Sequence, residues 1–233
     1  MDSTYLNNLH INDHEGYVYL TEDESAWIKI EYLPNELKEY GLKYFNEMFD
    51  LKLEDKGKIM NKNNEIQTHR YHTCYLNTPK YDPDVKKNYM FCGLNETEKQ
   101  LIVPEHFSNF YDYICSTDSK YNQIVANWFV DKNNYIPNHV DGEYNMIDDY
   151  KVCSLTLNET ADAINKNYRL FTLAKYNKKK TIALYDKITI ELKHGMIITI
   201  GKSAQKLYKH GIPQMQCDVE KRISLSFRQM AEK

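Results

Sequence analysis

The second half of the chain consists of short apolar runs separated by turn residues, and this pattern limits the possible folds more than any other feature. From residue 124 onwards the runs read IVANWFV, YKVCSLTLN, YRLFTLA, TIALYD, KITIEL, GMIITIG and RISLSFRQM. Runs rich in β-branched and aromatic residues favour strands, and several short strands at this spacing are typical of a sandwich or barrel. We therefore predict a β-rich core over residues 124–230.

The segment before this core is predicted to contribute helices. WIKIEYL, residues 27–33, alternates like a strand, and Pro34 then suits the first turn of a helix through NELKEYGLKYFNEMFDL. KLEDKGKIMNKNNE is predicted to be a loop and IQTHRYHTCYL to be extended. A second helix is predicted to begin near Pro104. Its buried side is expected to carry Phe107, Phe110 or Tyr111, and Ile114.

Chain length and local pattern predict one main domain. Residues 1–24 are polar without a clear period, so we expect a loosely ordered N-terminal arm. A chain of 233 residues is long enough for one well-formed core. We therefore predict a single domain over residues 25–233, with a helical region at 25–123 and the β core at 124–230.

Charge and targeting signals narrow the expected location and partners. The net charge of −3 and the pI near 6.2 provide no global attraction to nucleic acid, so such a partner would need a local basic patch. Lys178 to Lys180 could form one, although such a run is more typical of a solvated hairpin tip. No apolar run approaches the roughly 18 residues that a membrane span requires, no secretory signal is evident, and the five cysteines include no C-x-x-C pair. We expect an intracellular protein, cytoplasmic or nuclear, without membrane contact.

The stretch IPNHVDGE is the first candidate for a metal site. His139 and Asp141 are two residues apart, so in an extended strand both side chains point to the same side. A third ligand could come from His210 in LYKHGIP, where another strand can deliver it. Two histidines and one carboxylate on one face, with the remaining positions open, are the usual arrangement of non-heme Fe(II) oxygenases.

The last predicted strand, RISLSFR, has one polar and one apolar face. Arg222, Ser224, Ser226 and Arg228 share one side, and the intervening apolar residues share the other. A guanidinium group binds a carboxylate through two hydrogen bonds in a partly buried site. A keto acid with two carboxylates is therefore a candidate cosubstrate, while a simple solvated strand is the alternative interpretation.

The order of these motifs resembles the AlkB family of Fe(II)- and 2-oxoglutarate-dependent dioxygenases. The family pattern has an Asn twelve residues before His-x-Asp, a distal His and a terminal Arg-x5-Arg, and Asn127 stands at the first of these positions. SLTLN, ELKHGMIITIGKSAQKLYKHGIP and YMFCG are also similar to segments of the family. The resemblance covers roughly residues 25–230.

This resemblance implies a double-stranded β-helix, or jelly-roll, core with N-terminal helices packed on it and a substrate lid within residues 25–123. It implies that His139, Asp141 and His210 bind Fe(II), that O2 is the oxidant, and that Arg222 pairs with the distal carboxylate of 2-oxoglutarate. The residues implied to line the cosubstrate pocket are Asn127, Phe129, Ser224, Ser226 and Arg228. Phe129 and Ser224 stand where Tyr and Asn are frequent in the family, so weaker cosubstrate binding is expected.

For function, the resemblance implies oxidative demethylation of N-methylated nucleobases in DNA or RNA, most readily in single strands. Glu143 matches an acidic position near the methylated base, and Tyr71, Tyr89 and Phe91 are candidates to hold that base. A hydroxylase or demethylase of a protein side chain or small molecule is the alternative that the acidic pI favours. A non-catalytic binding module is a third. A monomer is expected.

Overall fold

A computed structural model describes residues 10–12, 16–61, 64–76, 101–118, 120–141, 146–162, 167–176 and 182–231. The strands are β1 His10–Asn12, β2 Tyr17–Tyr19, β3 Trp27–Tyr32, β4 Lys58–Asn61, β5 Asn64–Gln67, β6 Tyr71–Leu76, β7 Leu101–Ile102, β8 Gln123–Phe129, β9 Ile136–His139, β10 Lys151–Asn158, β11 Leu170–Tyr176, β12 Ile182–Glu191, β13 Met196–Gly201, β14 Tyr208–Ile212 and β15 Arg222–Arg228. The helices are α1 Asn35–Lys43, α2 Phe45–Asp50, α3 Glu105–Thr117 and α4 Lys202–Leu207.

Two sheets form the core. The larger has the strand order β1-β2-β3-β13-β10-β15-β8-β6-β7, and the smaller has the order β12-β11-β14-β9. Between β8 and β15 the chain crosses repeatedly from one sheet to the other. Strands β8, β10, β13 and β15 belong to the larger sheet, whereas β9, β11, β12 and β14 belong to the smaller one. Such crossing between two mainly antiparallel sheets defines a jelly-roll. The predicted β-rich, jelly-roll fold class is confirmed.

The larger sheet has a different apolar cluster on each side. On one side, Trp128, Leu225 and Phe227 pack in one cluster with Met48 of α2 and Phe107 of α3. The Trp128 indole Nε1 also donates a hydrogen bond to the Met48 carbonyl oxygen at 3.0 Å. On the side facing the smaller sheet, the cluster contains Ile28, Phe129, Phe171, Ile198 and Tyr208. Because side chains alternate along a strand, the polar residues of β15 lie on this inner side.

Several local predictions have direct outcomes. The helix predicted after Pro104 is α3, and the expected residues Phe107, Phe110, Tyr111 and Ile114 are buried. The helix predicted after Pro34 is instead two helices, because Tyr44 leaves helical geometry with φ −106° and ψ 20°. This break lets the next helix bury Phe45, Met48 and Phe49.

Two predicted irregular segments contain strands. The predicted loop around residues 52–65 includes the hairpin partners β4 and β5, whose backbones pair from Lys58↔Gln67 to Asn61↔Asn64. Their polar sequences carry no apolar alternation, so periodicity could not reveal them. Part of the predicted loose arm is β2, which pairs with β3; Val18 of this strand and Leu20 just after it are buried in the inner cluster. No helix in the described part of the chain is long and apolar enough to cross a membrane.

Candidate metal centre

Two adjacent strands of the smaller sheet bring three possible metal ligands together. His139 ends β9, and its Cα partner on β14 is His210. Asp141 follows β9 by two residues. One ligand atom from each of the three lies within 4.8 Å of the others. His139 Nε2 is 4.0 Å from Asp141 Oδ1, and His210 Nε2 is 3.5 Å from Asp141 Oδ2.

Close packing of β14 against β9 depends on the residue after His210. Gly211 occupies a place where a Cβ atom would lie 2.6 Å from Asn138 Oδ1 and 2.8 Å from the Ile136 carbonyl oxygen. Contacts this short do not occur for real Cβ atoms, so any other residue would push the strands apart. Glycine at this position therefore helps to hold the two histidines at binding distance.

The cluster is buried on one side and open on the other. Asp141 and His210 are buried, whereas 37% of the His139 side chain is exposed. His139 Nδ1 lies 3.0 Å from the Pro137 carbonyl oxygen, which can only accept a hydrogen bond. This contact keeps the proton on Nδ1 and leaves Nε2 free to bind a metal.

Hydrogen bonds fix the Asp141 carboxylate from two sides. Arg228 Nη2 donates to Oδ1, and Gln205 Nε2 donates to Oδ2 at 3.0 Å. The Asp141 backbone N–H donates in turn to Gln205 Oε1 at 3.3 Å. Burial raises the pKa of Asp141, but Arg228 and the two histidines outweigh burial and hold this pKa below its ordinary value. The carboxylate is therefore charged at neutral pH.

Both imidazoles are neutral at physiological pH. Burial, followed by repulsion from the other histidine, lowers the pKa of His210 to about 3. Burial also lowers the pKa of His139, although attraction from Asp141 opposes this effect. A metal ligand must be deprotonated, so these shifts favour metal binding. Two neutral imidazoles and one carboxylate form a donor set that can hold a divalent metal ion.

A second polar feature between the sheets is the guanidinium group of Arg222. Its Nη2 donates to Thr156 Oγ1 at 3.0 Å, while Nε and Nη1 are buried and have no hydrogen-bond partner among the described residues. Burial and repulsion from Arg169 lower the pKa of Arg222 to about 9. Buried donors without partners are costly, so this group is suited to an anion that supplies the missing acceptors.

The other residues predicted to line the pocket lie along the same inner face. Asn127 of β8 pairs with Ser224 of β15, and Phe129 pairs with Arg222. The Phe129 ring centroid lies 5.0 Å from the Arg222 Cζ atom. Ser224 Oγ is 3.1 Å from Ser154 Oγ, so the serine hydroxyl already has a protein partner. The structure therefore brings Asn127, Phe129, Arg222 and Ser224 to one surface between the sheets.

Two residues of this site carry no signal in the sequence. Gln205, which contacts Asp141, lies in the six-residue helix α4 and belongs to no sequence pattern that would reveal it. Arg70 is buried and donates from Nε to Asn127 Oδ1 at 2.6 Å. No sequence pattern reveals Arg70 either, because its place beside Asn127 follows from the pairing of β6 with β8.

Of the residues predicted to contact the substrate base, the structure describes Tyr71. Glu143, Tyr89 and Phe91 lie outside the described residues, as do Lys178 to Lys180. Tyr71 pairs with Trp128 and packs on the helix-facing side of the larger sheet, opposite the side of Asn127. It is therefore not beside the metal-ligand cluster. Its ring instead contacts Lys52, whose Nζ is 4.4 Å from the centroid.

Comparison with known proteins yields a structural similarity only. No family model and no curated protein matches the sequence. A solved structure described as "The structure of OsALKBH1" is similar with a TM-score of 0.49 and 13% sequence identity, over 87% of this chain and 97% of that chain. The strand topology and the three-ligand cluster together define a jelly-roll protein with a site able to hold a metal ion.

Proposed function

We propose that this protein is an AlkB-like Fe(II)- and 2-oxoglutarate-dependent dioxygenase that oxidatively removes N-methyl groups from nucleobases in DNA or RNA. One observation carries the proposal. The cluster of His139, Asp141 and His210 is linked through Arg228 to the strand whose other end presents Arg222, two of whose buried donors have no partner in the described part of the chain. A metal site and an anion site connected by one strand fit an enzyme that uses a metal and an anionic cosubstrate.

The ligand set fits Fe(II) chemically. Two imidazole nitrogens and one carboxylate on one face leave the opposite positions for a cosubstrate and O2. The exposed side of His139 and the buried side of His210 define an open and a closed side of the site. Gln205 and Arg228 would keep the Asp141 carboxylate oriented toward the metal.

The polar residues around Arg222 also suit a dicarboxylate ligand. Arg222 would bind the distal carboxylate of 2-oxoglutarate through Nε and Nη1, which have no hydrogen-bond partner within the described segments. Asn127, Ser226 and Arg228 would line the remaining pocket, as the sequence resemblance implies. Phe129 offers no hydroxyl, and the hydroxyl of Ser224 is engaged by Ser154, so Arg222 would carry most of the binding at this end.

The chemistry divides between the bound groups and the protein. Fe(II) and 2-oxoglutarate would together activate O2 and oxidise the methyl group, which would then leave as formaldehyde. His139, Asp141 and His210 would hold the metal, and Arg222 would set the direction of the cosubstrate. The inner apolar cluster around Phe171 would exclude water from the buried side of His210, since the two rings lie 5.9 Å apart.

The nucleobase part of the proposal rests on the sequence resemblance, in particular the terminal Arg-x5-Arg and the position of Glu143. Such an enzyme would act on single-stranded DNA or RNA, or would extrude the base from a duplex. A protein side chain or a small molecule is the second candidate substrate, and the net charge of −3 favours it.

The test is succinate formation from 2-oxoglutarate with Fe(II), ascorbate and a panel of methylated single- and double-stranded oligonucleotides. We expect methyl loss coupled to succinate, and neither with the His139→Ala variant. Succinate without methyl loss, still dependent on His139, would redirect the search to proteins and small molecules. A folded protein that binds Fe(II) without any turnover would contradict the enzyme proposal.

A further inference from the structure

Arg70 is a buried cation beside the metal-ligand cluster, and the proposed function assigns it no role. It immediately precedes β6, and 7% of its surface is exposed. Its Nε atom donates to Asn127 Oδ1 at 2.6 Å, while Asn127 Nδ2 donates to the Val125 carbonyl oxygen at 3.3 Å. Both ends of the Asn127 amide are therefore oriented by protein contacts, one of which is Arg70.

Electrostatic contacts place the Arg70 charge close to the metal ligands. Burial, with repulsion from Arg228, lowers the pKa of Arg70 to about 10, and attraction from Asp141 opposes this shift. Arg70 also contributes to the lowered pKa of His139. Arg70 therefore lies close enough to Asp141, His139 and Arg228 to interact with each of them electrostatically.

Among the described residues, positive charge exceeds negative charge around the cluster. Asp141 forms its ion pair with Arg228. Within the described ranges, Arg70 forms no ion pair with a carboxylate, and its hydrogen bond goes to a neutral amide. A buried guanidinium without an anionic partner is unfavourable, and a bound metal would add two further positive charges. An anion near the metal would balance this excess.

The guanidinium groups of Arg70 and Arg222 have different neighbours: the first interacts with Asp141 and Arg228 at the metal-ligand cluster, and the second interacts with Arg169. Arg70 contacts Asn127, and Arg222 is the Cα partner of Phe129, two residues further along β8. Two residues of a strand span about 7 Å. This offset, between the Asn127 that Arg70 contacts and the strand partner of Arg222, is comparable to the length of a five-carbon dicarboxylate.

We infer that Arg70 is a second anion-binding group at the metal end of the cavity, where it contacts the carboxylate of a 2-oxo acid that chelates the metal. The inference rests on the proposed function and adds a residue to its cosubstrate site. Arg222 and Arg70 would then recognise the two ends of 2-oxoglutarate separately. A 2-oxo acid without a distal carboxylate would depend on Arg70 and not on Arg222.

The test measures chelation without turnover. Under anaerobic conditions, a 2-oxo acid bound to Fe(II) in the protein is titrated through the visible absorbance that chelation produces. The probes are 2-oxoglutarate and pyruvate, which shares the 2-oxo acid end but has no distal carboxylate. The proteins are wild type, Arg70→Gln, Arg70→Lys and, as the matched control at the other end, Arg222→Gln.

We expect Arg70→Gln to weaken the binding of both acids by a similar factor, between about 10-fold and 100-fold, which is typical for loss of a charged hydrogen bond. Arg70→Lys keeps the charge without the planar fork, so its loss should be smaller. Arg222→Gln should weaken 2-oxoglutarate by a similar range and leave pyruvate within about twofold.

Other outcomes would overturn the inference in distinguishable ways. Unchanged affinity of Arg70→Gln and Arg70→Lys for both acids would refute it and leave the proposed function intact. A loss for 2-oxoglutarate alone would assign Arg70 to the distal end and also refute it. If Arg70→Gln does not fold, folded Arg70→Lys that binds both acids with wild-type affinity refutes the inference. If Fe(II)-loaded wild type binds neither acid, the proposed function fails together with the inference.

Discussion

The ion pair between Asp141 and Arg228 is the interaction whose loss should have the clearest effect on the site. Only 2% of the Asp141 side chain and 8% of the Arg228 side chain are exposed, and Arg228 Nη2 contacts Asp141 Oδ1 directly. Removing one partner of a buried ion pair typically costs about 3–5 kcal/mol, because the other charge stays buried without compensation. We expect Arg228→Met to lower the free energy of unfolding of the metal-free protein by this amount.

A divalent metal should recover part of the loss. The metal would supply positive charge beside Asp141. In Arg228→Met this metal would no longer be repelled by the Arg228 guanidinium group. A unit charge about 6 Å away contributes about 3 kcal/mol at an effective dielectric constant of about 20. We therefore expect saturating Mn(II) to narrow the difference between wild type and Arg228→Met by about 1–3 kcal/mol.

The measurement is urea unfolding in EDTA and in saturating Mn(II). The control is the double variant Asp141→Asn/Arg228→Met, which has no buried carboxylate to compensate. In EDTA it should be more stable than Arg228→Met, and it should respond little to Mn(II). A metal-free loss below about 1 kcal/mol, far under the cost expected for a buried pair, would refute the reasoning. A loss that Mn(II) leaves unchanged would refute the proposed metal position beside Asp141.

Three further predictions concern single side chains. Burial and repulsion from Arg70 lower the pKa of His72 to about 4. The stability that neutral His72 contributes is therefore complete above the unfolded pKa of about 6.5 and is lost as pH falls toward 4. Urea unfolding should show that wild type loses about 2 kcal/mol more than His72→Gln between pH 7 and pH 5. Gln205→Leu removes the hydrogen bond to Asp141 and should lower Mn(II) affinity in calorimetry by about 10-fold to 100-fold, whereas unchanged affinity would contradict an orienting role. Phe129→Tyr restores a hydroxyl near the cosubstrate and should lower the KM for 2-oxoglutarate by up to about tenfold; an unchanged or raised KM would mean that the hydroxyl cannot reach the ligand.

The sequence by itself determined the features that depend on local periodicity. Apolar residues at alternate positions of RISLSFR require one buried apolar face, and in the structure Ile223, Leu225 and Phe227 occupy the helix-facing cluster. The helical spacing after Pro104 likewise predicted which side of α3 is buried. The two-residue spacing of His139 and Asp141 predicted their convergence, because an extended backbone points both side chains to the same side.

Only the tertiary structure decided the contacts between distant segments. Strand register sets His210 opposite His139, and the close approach at Gly211 maintains it, but no local pattern specifies which strands pair. Arg70 and Gln205 reach the site from β6 and α4, at positions where neither periodicity nor a motif distinguishes them. Their roles come from burial beside an ionised carboxylate. A side chain acquires such surroundings only when segments far apart in the chain pack together, so the sequence could predict the ligand types but not the electrostatic environment that controls them.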